Sequence, residues 1–446
     1  MRRLRRPSGG LWANADFVKL WTGQSISELG SQVSALAIPW VGAFALHASP
    51  IEFSLLGVLG FLPFILFALP AGVWVDRLRR RPILVVGDAS RAILLALIPI
   101  LWAAGVLQIW HLLVLQFVIG IFTVFFDVAY QSYLPALVER QDLVDGNAKL
   151  QLTVSVAQVA GPSMSGGLIA AITAPYAIIV DAISFVISTV FMLRMRHREE
   201  LDAPEADAEK PRMWPQVKEG LRWVGHNPHL RSIAACTGTS NLFNSLLFAI
   251  FVLYAGRNLH LSAVEVGAVF GVGSIGSIAG ALFVNRLQKA IGVGPAIVVP
   301  AIAFSAAGIA FPLAPHAFPL PVLMAGQLLF GFGSVAYNIT QVSLRQAITP
   351  ERLQGRMNAA MRWVVWGTIP IGSLLGGAIG QTIGLRTALW VGAIGGLPTF
   401  LFVLLSPVRA IRTMPEPRPR PTPAQAELAG GLIEGTPLPG PAAADA

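Results

Sequence analysis

Apolar runs recur along the chain, each followed by a short polar connection. A helix needs roughly 20 apolar residues to cross the hydrocarbon of a bilayer. Runs of that kind fall near 18–46, 51–75, 83–104, 108–131, 146–172, 176–196, 230–255, 263–285, 293–313, 319–343, 355–381 and 387–406. The pattern predicts twelve membrane-crossing helices, hence an all-α membrane protein.

The connections alternate in character. One set (47–50, 105–110, 173–175, 257–262, 314–319 and 382–386) is short and holds only Arg257 and Arg386 as basic residues. The other set, with both termini, holds 28 of the 32 lysines and arginines. Arg91 and Arg362 fall near span ends. Basic residues concentrate on the cytoplasmic side of membrane proteins. Both termini are therefore expected in the cytoplasm of a cell with this chain in its plasma membrane, and an even number of spans agrees.

The longest internal connection joins spans six and seven and is charged and proline-containing. Its part over 214–224 has the makings of a short amphipathic helix on the membrane surface. Beyond 413 the chain is rich in Pro, Ala and Gly and cannot bury a core. The expected organisation is a six-helix bundle over 1–197, a cytoplasmic linker over 198–228, a second six-helix bundle over 229–413 and a disordered cytoplasmic tail over 414–446.

The halves repeat. AGVWVDRLRRR at 71–81 resembles GALFVNRLQKA at 280–290, an offset of 209. Asn147 and Ala148 match Asn358 and Ala359, and Gly161 and Gly166 match Gly372 and Gly377, both at 211. General apolarity explains shared Leu and Val but not V-[DN]-R-L at matching places. Two pseudo-symmetric six-helix bundles follow, and parallel repeats of this kind place a substrate between them near the bilayer midplane.

Composition agrees. The chain is 54% hydrophobic and 12% charged, with a mean hydropathy of +0.65. Soluble domains carry about a quarter charged residues. The net charge of +9 lies between apolar spans, so it reads as a topology signal and not as a nucleic-acid surface. Cys236 is the one cysteine, so no intrachain disulfide is possible. No cleavable signal peptide is evident at the start: residues 1–6 are basic, but 7–16 hold no apolar run. No G-x-x-x-x-G-K-[ST] sequence occurs to cradle ATP phosphates. The histidines are scattered without zinc-ligand spacing, and no hydrolase constellation stands out. The reading calls for no metal, no cofactor and no enzyme activity. Work then comes from an ion gradient or from the substrate's own; one proton crossing with 100 mV contributes about 2.3 kcal/mol.

One motif is family-specific. After span two stand Gly72, Asp76, Arg77, Arg80 and Arg81, in the pattern G-x-L-a-D-r-x-G-r-[RK] between spans two and three. With twelve spans, the chain resembles the major facilitator superfamily from about 15 to 408. Trp74 stands for the usual Leu and Arg79 for the second Gly. Asp76 falls near the C-terminal end of its helix, where the dipole disfavours a negative charge, so it needs a partner. That partner is a nearby arginine or the N-terminal end of another helix. The resemblance implies span eleven, closing the cytoplasmic side when the transporter faces outward. Asp127 poses the same problem at the end of span four, with Arg80 or Arg81 as its expected partner. A static surface ion pair is the plainer reading of both.

Three stretches, 125–148, 161–170 with 181–185, and 343–360, resemble the branch of macrolide-efflux and enterobactin-exporter-like proteins. That likeness implies efflux by antiport and an antiporter motif at Gly161 and Pro162, with Ser165 replacing the first following glycine. Proline permits a bend and small residues permit close approach; plain packing explains them as well.

A proton carrier must be ionisable at depth, and Glu28, midway through span one, is the best candidate. The alternative is a carboxyl bonded to Gln24 or Gln32 one turn away. Asp88 and Arg91, three residues apart, are expected to pair. Asp181, in the early turns of span six, reads as a cap. The cavity should be apolar with few polar groups. Candidates are Gln32, Trp40, Asn241, Asn244 and Asn338, and the superfamily resemblance implies that spans one, four, seven and ten line it. Interhelical hydrogen bonds explain each equally.

The expected protein is a monomeric proton-coupled exporter of an amphipathic, drug-like compound or secondary metabolite. Its partners are that substrate, protons and the lipid bilayer, with no nucleic acid. A lipid, lysophospholipid or siderophore transporter on the same fold is the first alternative, and a non-transporting receptor or scaffold the second.

Overall fold

A computed structural model describes residues 11–75, 78–139, 142–196 and 213–415. Asp76 and Arg77 lie outside the described residues, as do most of the expected linker and the tail beyond 415.

Among the described residues every regular element is helical. The first half runs α1 (Ala15–Trp40), α2 (Pro50–Val75), α3 (Arg80–Ala103), α4 (Ile109–Leu137), α5 (Leu143–Ile172) and α6 (Ala174–Leu193). A connecting helix α7 (Met213–His226) falls where the amphipathic segment was expected. The second half runs α8 (Pro228–Arg257), α9 (Ala263–Ile291), α10 (Pro295–Ala307), α11 (Ala310–Leu313), α12 (Pro319–Ile348), α13 (Glu351–Trp366), α14 (Thr368–Thr382), α15 (Leu385–Gly396) and α16 (Leu401–Leu404).

Among the described residues eleven stretches are long and apolar enough to cross a membrane, with α10–α11, α13–α14 and α15–α16 each making one. The first helix falls outside that set. It spans 26 residues and continues through a π-helical turn, Val41–Ala45. It carries Lys19, Gln24, Glu28 and Gln32 along its length. Asn14 caps it, accepting from the backbone N–H of Asp16 and Phe17 at 3.1 Å each. Large apolar side chains such as Ile93, Val114, Ile183 and Leu282 are exposed, as expected of helices solvated by lipid.

Packing inside the first half joins α1 to α5 and α6, α2 to α4, and α3 to α4 and α6. The second half repeats this: α8 packs on α14 and α15, and α9 and α10 on α12. Among the described residues the two largest contacts between the halves are α5 on α9 and α14 on α2, with a smaller one of α2 on α8. The two largest are the same contact twice. A Cβ at Gly166 of α5 would lie 2.5 Å from the Ala263 carbonyl at the start of α9. One at Gly377 of α14 would lie 2.9 Å from the Pro50 carbonyl at the start of α2. The two glycines that matched in sequence therefore perform matching jobs.

The apolar core has three parts. At the arginine-poor end one cluster crosses both halves, with Val33, Leu36 and Phe53 packed alongside Leu247, Phe251 and Leu389. At the basic end each half has its own: Phe17, Leu84 and Tyr133 in the first, Leu230, Ile297 and Leu344 in the second. The molecule is sealed at the arginine-poor end and divided at the basic end.

Candidate functional site

Beneath the seal lies a cavity of ≈ 490 Å³. Its walls come from α1, α2 and α5 of one half and α8, α9 and α14 of the other. Leu36, Phe53, Phe248 and Phe270 make them mostly apolar, and Gln32, Ser54, Gln158, Ser274 and Ser373 supply polar atoms. An apolar chamber with a few placed polar groups is what a small-molecule site requires. Phe248 is held edge-on by Phe330 and Phe311, with ring centroids 5.0 and 5.3 Å away.

Pro162 shapes one wall. α5 runs unbroken through it, but proline has no N–H, so the carbonyl four residues earlier loses its helical partner. That carbonyl belongs to Gln158, and the Ser274 hydroxyl of α9 donates to it at 2.7 Å. A proline in one half thus creates an acceptor that the other half occupies, at the cavity wall. One turn on, the Ser165 hydroxyl lies 2.7 Å from both the Gly161 and Gln32 carbonyls, tying α5 to α1. Gly161 packs against the Gln32 side chain, where a Cβ would collide.

Of the five residues expected to line the cavity, Gln32 does so. Trp40 packs on Phe44, ring centroids 4.4 Å apart. Asn241 donates to the Val365 carbonyl at 3.1 Å, bracing α8 on α13. Asn244 is half-buried on α8, and the exposed Asn338 accepts from the Gln341 amide at 2.9 Å. Sequence reasoning missed Phe53, Phe248, Phe270 and Ser274. Phenylalanine is too common in apolar helices to single out, but the carbonyl freed by Pro162 was a legible signal for a donor opposite.

A charge cluster lies inside the first half. Asp88 and Arg91 of α3 form an ion pair, 0% and 6% exposed. The guanidinium lies between the Phe126 and Phe185 rings, 4.2 and 4.3 Å from their centroids. Its charge also acts on Glu28 of α1, Asp127 of α4 and Asp181 of α6. Glu28 and Gln32 stand one turn apart on α1 and interact electrostatically, so one side chain lies between this cluster and the cavity wall.

Two expectations change. Asp127 does not sit at the end of its helix. α4 extends to Leu137, which puts Asp127 about 15 Å from that end at 1.5 Å per residue. The cation acting on it most is Arg91, not Arg80 or Arg81. Arg81 instead donates to the carbonyls of Met192 and Leu193 at 3.0 and 2.6 Å, where a cation suits the C-terminus of α6. Asp181 is not a cap. Thr173 holds the cap position, and Asp181 lies two turns in, 2% exposed, accepting from the Ser184 hydroxyl at 3.1 Å. Of the loop motif, Gly72 lies in the last turn of α2 with open space where a Cβ would stand, and Arg80 opens α3.

A family profile described as "Transmembrane secretion effector" matches residues 11–428. The chain belongs to this family, a branch of the major facilitator superfamily. It is 26% identical over 371 residues to the multidrug efflux pump Tap of Mycolicibacterium fortuitum, covering 80% of this chain and 87% of that one. It is 24% identical over 405 residues to macrolide efflux protein A of Streptococcus pyogenes, covering 89% and 97%. In fold it is similar to a bacterial homologue of the iron transporter ferroportin. The inward-facing form gives a TM-score of 0.69 at 16% identity, covering 89% of this chain and 99% of that one. The outward-facing form gives 0.52 at 18% identity, covering 87% and 98%. As a member of the superfamily the chain is a multi-pass membrane transporter.

Proposed function

We propose that this transporter exports an amphipathic, drug-like compound or secondary metabolite by alternating access, in exchange for protons. The observation that carries the reading is the apolar chamber between the bundles, closed toward one end by a core shared by both halves. With the basic end in the cytoplasm of the cell that holds the protein in its plasma membrane, this is the inward-facing form. A substrate enters from the cytoplasm or inner leaflet and meets phenylalanine faces and a few amide and hydroxyl groups. The efflux pumps among its relatives support the direction.

Proton coupling is assigned to Glu28, with the Arg91 cluster behind it. One cation serves four carboxyls there, so the cluster holds sites a proton can occupy and leave. Gln32 touches both Glu28 and the chamber, giving substrate and proton a shared contact. The protein works as a monomer, since each copy contains both bundles. Outward opening brings the loop around Asp76, Arg77, Arg80 and Arg81 against the second bundle at the basic end.

The test is transport by purified protein in vesicles. An imposed pH gradient should drive a lipophilic cationic dye against its own gradient, and a protonophore should abolish that accumulation. Accumulation indifferent to the protonophore sinks the coupling.

A further inference from the structure

Two arginines break the charge rule at the arginine-poor end, Arg257 and Arg386. Their surroundings differ. Arg386 stays within its own half, its Nε donating to the Pro312 carbonyl at 3.1 Å. Arg257, in the last turn of α8, reaches across to the other half. Its Nη2 donates to the Ala43 carbonyl at 2.7 Å and to the Ala48 carbonyl at 2.8 Å.

Both acceptors are arranged by the end of the first helix. α1 closes in the π-helical turn Val41–Ala45, and its last carbonyls have no partner further along the helix. His47 then adopts a left-handed conformation, φ 55°, which turns the chain back. The Ala48 amide bonds to the Gly42 carbonyl at 2.8 Å, which holds the Ala48 carbonyl beside that of Ala43. Two oxygens at the negative end of a helix dipole make a seat for a cation. Next to Arg257, Gly256 lies against the Phe44 ring of the same turn. The neighbouring bond from the Ile51 amide to Gln381 Oε1, at 3.3 Å, joins the halves more weakly and without charge.

We propose that Arg257 is the latch of the arginine-poor gate: it holds the two bundles together while the transporter faces inward, and releases when they part. Water solvates the freed guanidinium at that surface, so release is reversible. Arg257 is a positioning residue, since it lies off the cavity and acts through the bundle equilibrium. The proposal rests on the alternating-access reading above, and its test separates the two.

Distances between spin labels are measured in the full-length protein in lipid, in a Cys236→Ser background. One pair, at Val106 and His316, reports the arginine-poor end. The other, at Leu78 and Lys289, reports the basic end. Losing charge-assisted hydrogen bonds should raise the open-to-closed ratio at the arginine-poor end about tenfold in Arg257→Ala. The first pair then lengthens while the second shortens. Arg386→Ala, which removes a cation from the same surface but no bond between halves, keeps the parent distances. Arg257→Lys, which retains a donor and the charge, recovers part of the closed population. A loosened protein would lengthen both pairs, so opposite movement is the signature. Unchanged distances in Arg257→Ala, in a protein whose parent form samples both states, overturn the latch. A parent form that never samples the second state removes alternating access itself.

Discussion

At the scale of single residues, the proposed scheme divides the work between Glu28 and Arg91. Glu28 is half-buried and reaches the chamber through Gln32. Glu28→Gln keeps the size and polarity of the side chain and removes the exchangeable proton. Dye accumulation driven by a pH gradient should vanish, while downhill exchange of dye across the same vesicles persists. Full coupled transport by the variant would take Glu28 out of the scheme. Arg91 has a structural duty, because Asp88 is fully buried against it. Removing one partner of a buried pair costs about 3–5 kcal/mol. Arg91→Ala should therefore unfold at clearly lower temperature in detergent, and Arg91→Ala with Asp88→Ala should recover much of that loss. The spacing of Asp88 and Arg91 was legible as a pair. Their convergence with Glu28, Asp127 and Asp181 was not, because those three lie on helices far apart in the chain. For Asp127 the error came from ending span four six residues early, which moved a deep carboxylate to the surface.

At the scale of elements, the contact of α5 with α9 joins the halves at the chamber wall. Pro162 leaves the Gln158 carbonyl open to Ser274, and Gly166 lets the helices touch. Pro162→Ala restores an N–H that competes for that carbonyl within α5. Ser274→Ala removes the donor and leaves the acceptor unmatched, at about 1–3 kcal/mol if buried from water. Both variants should lower the rate of dye export, with Pro162→Ala folding at least as stably as the parent. An unaltered rate in both would reduce the proline to plain packing. Gly166→Leu places a side chain where a Cβ already lies 2.5 Å from a carbonyl, so the arginine-poor seal should loosen. A membrane-impermeant thiol reagent added from that side should then label a cysteine at Ala35 faster than in the parent.

In the proposed cycle the whole molecule moves as two bundles whose shared core lies at one end. Ser54 and Gly377 face each other there, a Cβ at Gly377 lying 2.7 Å from the Ser54 Cβ. With Cys236→Ser, cysteines at Ser54 and Gly377 should form a disulfide under mild oxidation. That bond should pin the gate shut and stop export, and reduction should restore it. Transport that survives the bond would exclude opening at this end.

Hydropathy, the alternation of basic and arginine-poor connections, and the repeated V-[DN]-R-L and glycine positions determined the span count, the halves and the superfamily without coordinates. Those features are local or periodic, and the bilayer enforces them residue by residue: length must match hydrocarbon, and charge must stay out of it. Tertiary structure alone decided which side chains meet across the halves. Phe248 and Phe270 at the chamber, Ser274 on the Gln158 carbonyl and Arg257 on the Ala43 and Ala48 carbonyls depend on how helices remote in sequence are rotated against one another. Many rotations bury equal apolar area in lipid, and the choice falls to a few close glycine approaches and polar contacts that no pattern along one helix displays.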